Sequence, residues 1–383
     1  MTGFSSTADR FVAWVRDDAL PFWADHAVDA AGGFYEKLDL EGRPVTDCLR
    51  RVRVQARQTY SYAYAASLGW YGDARRVSDH GWAFVTSRGM QRDGTPLPGA
   101  SIAHLLNNDG SLHDGHRDTY AQAFLLLAAA WRLRSFGDDS AAQVIRDSFA
   151  YLDTIRTPHG GYQEADTPAL PRRQNPHMHL FEAFMACFEA TNDPACLERA
   201  GEIHALFTDK FYDDRHGVLL EFFNEDWSPH AETGDLIEPG HLMEWVWLLR
   251  WYERLTGTNV SAPADAMYQN AIKLGLNEKT GLLYDELRLD GTVTKPTARS
   301  WSTTEYIKAS LAQAEAGQHG MFEVAAEKTA LLLDTYLSPP LAGGWYDQYD
   351  ANGNVVGSYM ETSTFYHLVC AAGETDRVKA VLA

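Results

Sequence analysis

Three histidines in this chain stand where an imidazole could do chemistry, each beside carboxylates or aromatic rings at helical spacing. The stretch 237–253 reads Ile-Glu-Pro-Gly-His-Leu-Met-Glu-Trp-Val-Trp-Leu-Leu-Arg-Trp-Tyr-Glu. Glu238 fits an N-cap and Pro239 the first helical position, where a missing N–H costs nothing, so a helix is expected to open here with His241 in its first turn. Glu244 and Trp245 follow His241 at i+3 and i+4 and share its face. Asn-Pro-His-Met-His supplies His177 and His179, and Phe-Tyr-His-Leu supplies His367. Imidazoles titrate near neutrality, and a pair of them suits the movement of a proton between adjacent carbons. Arg57, four residues after Arg53, could hold a carbonyl oxygen as negative charge builds on it. Trp301 and Tyr120 offer flat faces on which the axial hydrogens of a sugar ring would stack.

Each residue also has a plain structural reading. Asp118 and Asn175 are ordinary N-caps. Ser302 with Glu305, and Ser358 with Glu361, match the S/T-x-x-E pattern of a capping box. Arg53 could pair with Asp47 at the surface. His177 and His179 are two apart on a helix, so at most one faces a given cavity and a two-histidine chelate is disfavoured. Without a cysteine cluster or an HExxH segment, no metal and no cofactor are expected. Cys48, Cys187, Cys196 and Cys370 show no ligand-like spacing and read as reduced core thiols.

What must position these groups is a set of helices. The one opening at 238 is apolar on every other side, through Leu242, Met243, Val246, Trp247, Leu249 and Trp251, which marks it as buried. Its polar opening therefore needs a partner, a water or a ligand. A glycine-headed segment with aromatic or aliphatic and then acidic residues begins at Gly32, Gly160, Gly217, Gly281 and Gly343, with a more diverged copy around residues 94 to 112. The spacing of roughly 60 residues suits two helices plus a long loop. Helical patterns are expected near 6–25, 50–69, 73–89, 118–136, 139–155, 176–191, 194–210, 239–256, 261–276, 301–317, 319–337 and 359–373. Short turns such as Phe-Gly-Asp-Asp from Phe136 alternate with the long glycine-headed loops. Six helical hairpins with all long loops at one end predict an all-α fold, an (α/α)6 barrel with short β-hairpins at one mouth, and a candidate site at that mouth.

Composition narrows the partner. The net charge of −19, from 33 basic and 52 acidic residues, argues against nucleic acid and against an anionic membrane surface. No linker-like run divides the chain, so one catalytic domain over 1–383 is expected. The opening residues lack a basic segment followed by an apolar core, and no run approaches about 18 apolar residues, so a cytoplasmic protein, monomer or homodimer, is expected.

Four segments carry a resemblance: Arg-Val-Gln-Ala-Arg-Gln from Arg53, Asn-Pro-His-Met-His-Leu-Phe-Glu-Ala from Asn175, Glu-Pro-Gly-His-Leu-Met-Glu-Trp from Glu238, and Phe-Tyr-His-Leu from Phe365. In this order they resemble the N-acylglucosamine 2-epimerase family, whose fold is the same (α/α)6 barrel. The resemblance implies that His241 and His367 are the acid/base pair. It implies that Arg57, Tyr120, His179, Glu244 and Trp301 bind substrate, with Glu238 and Glu305 added to that set. One histidine would take the proton from C2 of an open-chain sugar to give a cis-enediol, without metal or redox cofactor. Return of the proton to C1 makes a ketose, and delivery to the opposite face of C2 makes the epimer. Members that act on disaccharides place a tryptophan a few residues before the last histidine, where this chain reads Met-Glu-Thr-Ser-Thr. A monosaccharide aldose–ketose isomerase, such as one converting mannose to fructose, is therefore the expected activity, with a 2-epimerase as the alternative. A glycoside hydrolase using Glu244 with Glu305 or Glu361, and a sugar binder without turnover, are the readings from other classes.

Overall fold

The computed structural model describes residues 2–92, 95–96 and 99–382. Residues 94, 97 and 98 of the diverged second loop copy lie outside them. Helix α1 runs through Thr2–Ala13, a wide π turn at Trp14–Ala19, and Leu20–His26. It is followed by α2 (Val52–Ser67), α3 (Ala74–Phe84, continued by a π turn at Val85–Gly89), α4 (Thr119–Phe136), α5 (Asp139–Thr154), α6 (Asn175–Thr191) and α7 (Pro194–Leu206, continued at Phe207–Phe211). The rest are α8 (Pro239–Thr256), α9 (Ser261–Gly275), α10 (Ser300–Glu315), α11 (Met321–Asp334) and α12 (Phe365–Leu382). The even helices pack each on the next, and α12 returns onto α2; each odd helix lies outside its partner. The fold is the (α/α)6 barrel. No helix among the described residues is long and apolar enough to cross a membrane.

Local chemistry makes the short turns. Helices α4 and α6 end on residues in the left-handed region, Gly137 (φ 63°) and Asn192 (φ 56°), which lets the chain reverse at once. Asp138 and Asp193 come next, and their carboxylates accept from the first free N–H groups of the following helices. A stop signal and a start signal thus sit side by side.

The long loops interlock around the opposite mouth. The residues just before an inner helix pair antiparallel with the hairpin of the next repeat: Arg50–Arg51 with Leu105–Leu106, Arg172–Arg173 with Phe222–Phe223, Leu236–Ile237 with Glu286–Arg288, and Ala298–Arg299 with Gln348–Tyr349. The ring closes where Tyr359–Glu361 pairs with Lys37–Asp39. This pairing corrects one expectation: residues 359–361 are strand and α12 begins at Phe365, so Ser358 and Glu361 form no capping box. Closure is reinforced by Trp23, stacked 4.4 Å from Trp345 and donating its indole N–H to the Gly343 carbonyl.

Helix α10 departs most from its sequence pattern. It opens Ser-Trp-Ser-Thr-Thr-Glu-Tyr-Ile-Lys with no apolar stripe, yet Ser300 through Ala314 are all buried. Its polar groups must find partners inside the barrel.

Candidate active site

Each inner helix sends at least one of the expected residues to the loop-rich mouth: Arg57 from α2, Tyr120 from α4, His179 from α6, His241 and Glu244 from α8, Trp301 from α10 and His367 from α12. All of them, with Glu238, line one cavity of about 380 Å³. That size is in the range of about 300–1,000 Å³ for small-ligand sites. Glu305 differs: it does not line the cavity but lies fully buried behind His367. It caps nothing either, because α10 begins at Ser300 with Arg299 at its N-cap.

The two candidate acid/base residues flank one indole. The Trp301 ring centroid is 5.1 Å from that of His241 and 5.5 Å from that of His367. Nδ1 of His241 is 3.0 Å from Glu221 Oε1 and 3.8 Å from Glu238 Oε2. Its Nε2 lies 3.0 Å from Asn175 Nδ2, which donates to a neutral ring; a doubly protonated ring requires the amide turned to present Oδ1. Asn175 was expected as an N-cap, but Gln174 takes that position and frees the Asn175 amide for the imidazole. Burial opposes a charge on His241, but Glu221 and Glu238 outweigh it and push its pKa up to about 10. His367 is held the other way. Burial, with the positive charges of Arg57, Lys308 and His241, keeps it well below the ordinary imidazole range. The surroundings of the two rings thus favour opposite charge states, the imidazolium at His241 and the neutral imidazole at His367.

His367 Nδ1 stands 2.8 Å from Glu305 Oε1, and the second oxygen of Glu305 is 2.7 Å from Lys308 Nζ. Arg57 donates to Tyr120 Oη at 2.7 Å and to the Ser363 carbonyl, and its Nε has no hydrogen-bond partner among the described residues. Both oxygens of Glu244 are likewise unpartnered there while 1% exposed. Burial and then the neighbouring Glu305 drive the Glu244 pKa well up, which favours the protonated carboxyl. His179 stacks on Tyr120 at 5.0 Å and meets Glu182 at 3.2 Å. His177 faces away, accepting from the Tyr162 N–H through Nε2, as the two-residue spacing requires. Arg53 pairs with Asp118 at 3.5 Å rather than with Asp47.

Among the described residues, three groups could offer atoms to a cation: His179/Glu182/Glu244, Glu221/Glu238/His241 and Glu244/Glu305/His367. Each already uses ligand atoms internally. Tyr366 Oη donates to Glu182 at 2.6 Å, Glu221 meets His241, and Lys308 meets Glu305, so a metal would first have to displace these partners.

Glu221 is the functional-looking residue that sequence reasoning missed, although a signal was present. Every well-formed loop copy carries an acid four residues after its first glycine: Glu36, Glu164, Glu221, Asp285 and Asp347. Glu36, Glu164 and Asp285 each accept from the backbone N–H and Nε of the arginine before an inner helix, namely Arg51, Arg173 and Arg299. Asp347 accepts from Thr364 Oγ1 at 2.7 Å. In the fourth copy the same latch reaches Gln174 and His241 instead. A structural device of the repeat becomes the counter-ion of an imidazolium.

Gly240 keeps the indole in place. A Cβ there would stand 2.5 Å from Trp301 Cη2 and 2.7 Å from Ser302 Oγ. Gly240→Ala is expected to push the ring off its seat between the imidazoles and to lower kcat/KM by roughly a hundredfold, the scale of a 1 Å misplacement. Full activity in a crystal-verified Gly240→Ala protein would show that the indole position is not critical.

The chain is 37% identical over 380 residues to a protein named mannose-6-phosphate isomerase from Rhizobium meliloti (strain 1021), covering 96% of both chains. It is 28% identical over 338 residues to a D-mannose isomerase from Thermobifida fusca, covering 82% of this chain and 80% of that one. Among solved structures, a cellobiose 2-epimerase from Bacillus thermoamylovorans B4167 superposes with a TM-score of 0.87 at 20% identity, over 97% of this chain and 100% of that chain, which speaks to the fold. The family model for N-acylglucosamine 2-epimerase (GlcNAc 2-epimerase) matches residues 33–371. The match takes in the four segments that build the cavity wall, and the chain belongs to the N-acylglucosamine 2-epimerase family.

Proposed function

We propose that this protein is an aldose–ketose isomerase for a mannose-type hexose. The observation that carries the reading is the pair His241 and His367, placed on either side of Trp301 in one small cavity with opposite charge preferences. Neutral His367 presents Nε2 as the free basic nitrogen and takes the proton from C2 of the open-chain aldose. Arg57 and the protonated Glu244 hold the oxygens on which charge develops, and the cis-enediol forms between them. Return of the proton to C1 yields the ketose, with His241 as the acid partner. The names borne by the two relatives above agree with this substrate class. The reading takes residues 1–383 as one catalytic domain acting in the cytoplasm without a cofactor.

A 2-epimerase needs the same two imidazoles and is the second reading. Its distinguishing step is a proton delivered by His241 to the opposite face of C2. Of the two carboxylate pairs open to a hydrolase, Glu244 with Glu305 is weakened because Glu305 backs His367 and is tied to Lys308, away from the cavity, whereas Glu361, paired with Arg51, lines the cavity with Glu244. Incubation with a panel of aldoses in deuterated water, followed by NMR at C1 and C2, separates these outcomes. Mannose is expected to give fructose, with deuterium at C1 to the extent that the proton held by His367 exchanges with solvent before it is returned. Deuterium at C2 of a new aldose would mean epimerase, and neither a new sugar nor exchange with any aldose would end the reading.

A further inference from the structure

Behind the cavity, three buried carboxylates share one buried ammonium. Lys308 is fully enclosed, with Nζ 3.7 Å from the centre of the Trp247 ring and 3.7 Å from Cys370 Sγ. The charged and titratable groups around it come from five of the six inner helices. Glu182 and His179 come from α6, Glu244 and His241 from α8, Glu305 from its own helix, Tyr366, His367 and Cys370 from α12, and Arg57 from α2. An ammonium taken out of water in such a place is strongly disfavoured unless a carboxylate lies against it. Of the three acids, Glu305 is the one that forms an ion pair with it, at 2.7 Å. Glu182 is served by the Tyr366 hydroxyl, and Glu244 has no hydrogen-bond partner among the described residues, its nearest charged neighbour being His179 Nδ1 at 3.9 Å.

We propose that Lys308 is a positioning residue that keeps Glu305 ionised and thereby sets the tautomer of His367. An ionised Glu305 can only accept, so the 2.8 Å contact requires the proton on His367 Nδ1 and leaves Nε2 bare toward the cavity. A protonated Glu305 would donate to Nδ1 and send the ring proton to Nε2, the nitrogen that must take a proton from substrate. Burial favours that inactive arrangement and leaves the Glu305 pKa above the ordinary carboxylate value, and Lys308, with Nζ 2.7 Å from Oε2, is the largest influence against it. The alternative for Lys308, that it merely fills space over Trp247, would be met as well by a methionine.

The catalytic part of this proposal rests on the reading of His367 as the base, but its structural part is testable without substrate. With imidazole 15N-labelled protein, the His367 resonances of the wild type are expected to report a neutral ring protonated at Nδ1. In Lys308→Met they are expected to move to the Nε2–H form, with kcat lowered by about tenfold or more and KM within about threefold, as for loss of a tautomer-fixing group. A thermal melt establishes that the variant is folded. On a Glu305→Gln background, adding Lys308→Met is expected to change kcat by less than about threefold, because both substitutions remove the same charge effect. This pair of neutralised proteins also serves if Lys308→Met alone does not fold. A wild-type ring protonated at Nε2, an Nδ1–H ring retained in Lys308→Met, or a further loss of about tenfold on the Glu305→Gln background would each overturn the proposal. If the tautomer results hold while no aldose is turned over, the functional reading fails and the charge arrangement stands.

Discussion

His367→Asn is expected to remove turnover almost entirely, by about a hundredfold to ten-thousandfold in kcat, while the protein still folds. Asparagine cannot accept a proton from carbon at neutral pH. The fold should survive because Glu305 keeps its ion pair with Lys308, so no buried charge is left alone. The linkage sign gives a second check. The folded pKa of His367 lies below its unfolded value near 6.5, so in the wild type this group removes stability as pH falls below that value. Removing it should flatten the acid side of a stability-against-pH curve. A variant that keeps more than about a tenth of the wild-type rate would reject the general-base role.

Glu221→Gln should shift the alkaline limit of activity by several pH units. In the wild type, His241 keeps its proton up to about 10, and activity that needs an imidazolium is lost only as pH rises through that value. Burial is the largest influence on this ring and acts to discharge it, and Glu221 is the strongest influence opposing it. A neutral glutamine preserves shape and hydrogen bonding to Gln174 but lets burial win. At pH 8 the variant should turn over about ten- to a hundredfold more slowly than wild type and recover as the pH is lowered. Stability should follow with the matching sign. A histidine raised above its unfolded pKa contributes stability that is fully present below about 6.5 and is lost as pH climbs through about 10. That loss should be visible in wild-type melts between neutrality and pH 10 and absent in Glu221→Gln. Superimposable pH–rate profiles would show that the Glu221 contact does not set the charge of His241.

Part of this site was legible before any coordinates because its parts obey local rules. Pro239 after Glu238 opens a helix by fixing φ, and the expected boundary of α8 matches residue for residue. The two-residue spacing of His177 and His179 predicted that only one would face inward, since such positions are about 200° apart on a helix. The capping-box readings of Ser302/Glu305 and Ser358/Glu361 failed for a nonlocal reason. A strand from the first repeat pairs with residues 359–361, and α10 begins two residues before Ser302, so the local pattern was overridden by contacts made across the ring.

The order of glycine-headed loops and paired helices, and the delivery of histidine, arginine and tryptophan to one mouth, follow from the sequence, because periodicity and turn chemistry act within a few residues. The protonation of each imidazole does not. It depends on Glu221 and Glu305, 20 and 62 residues away from the rings they touch, and on how completely each ring leaves water. Coulomb attraction and desolvation are functions of distance and burial, so two histidines of identical chemistry come to favour opposite charge states only when the barrel closes around them.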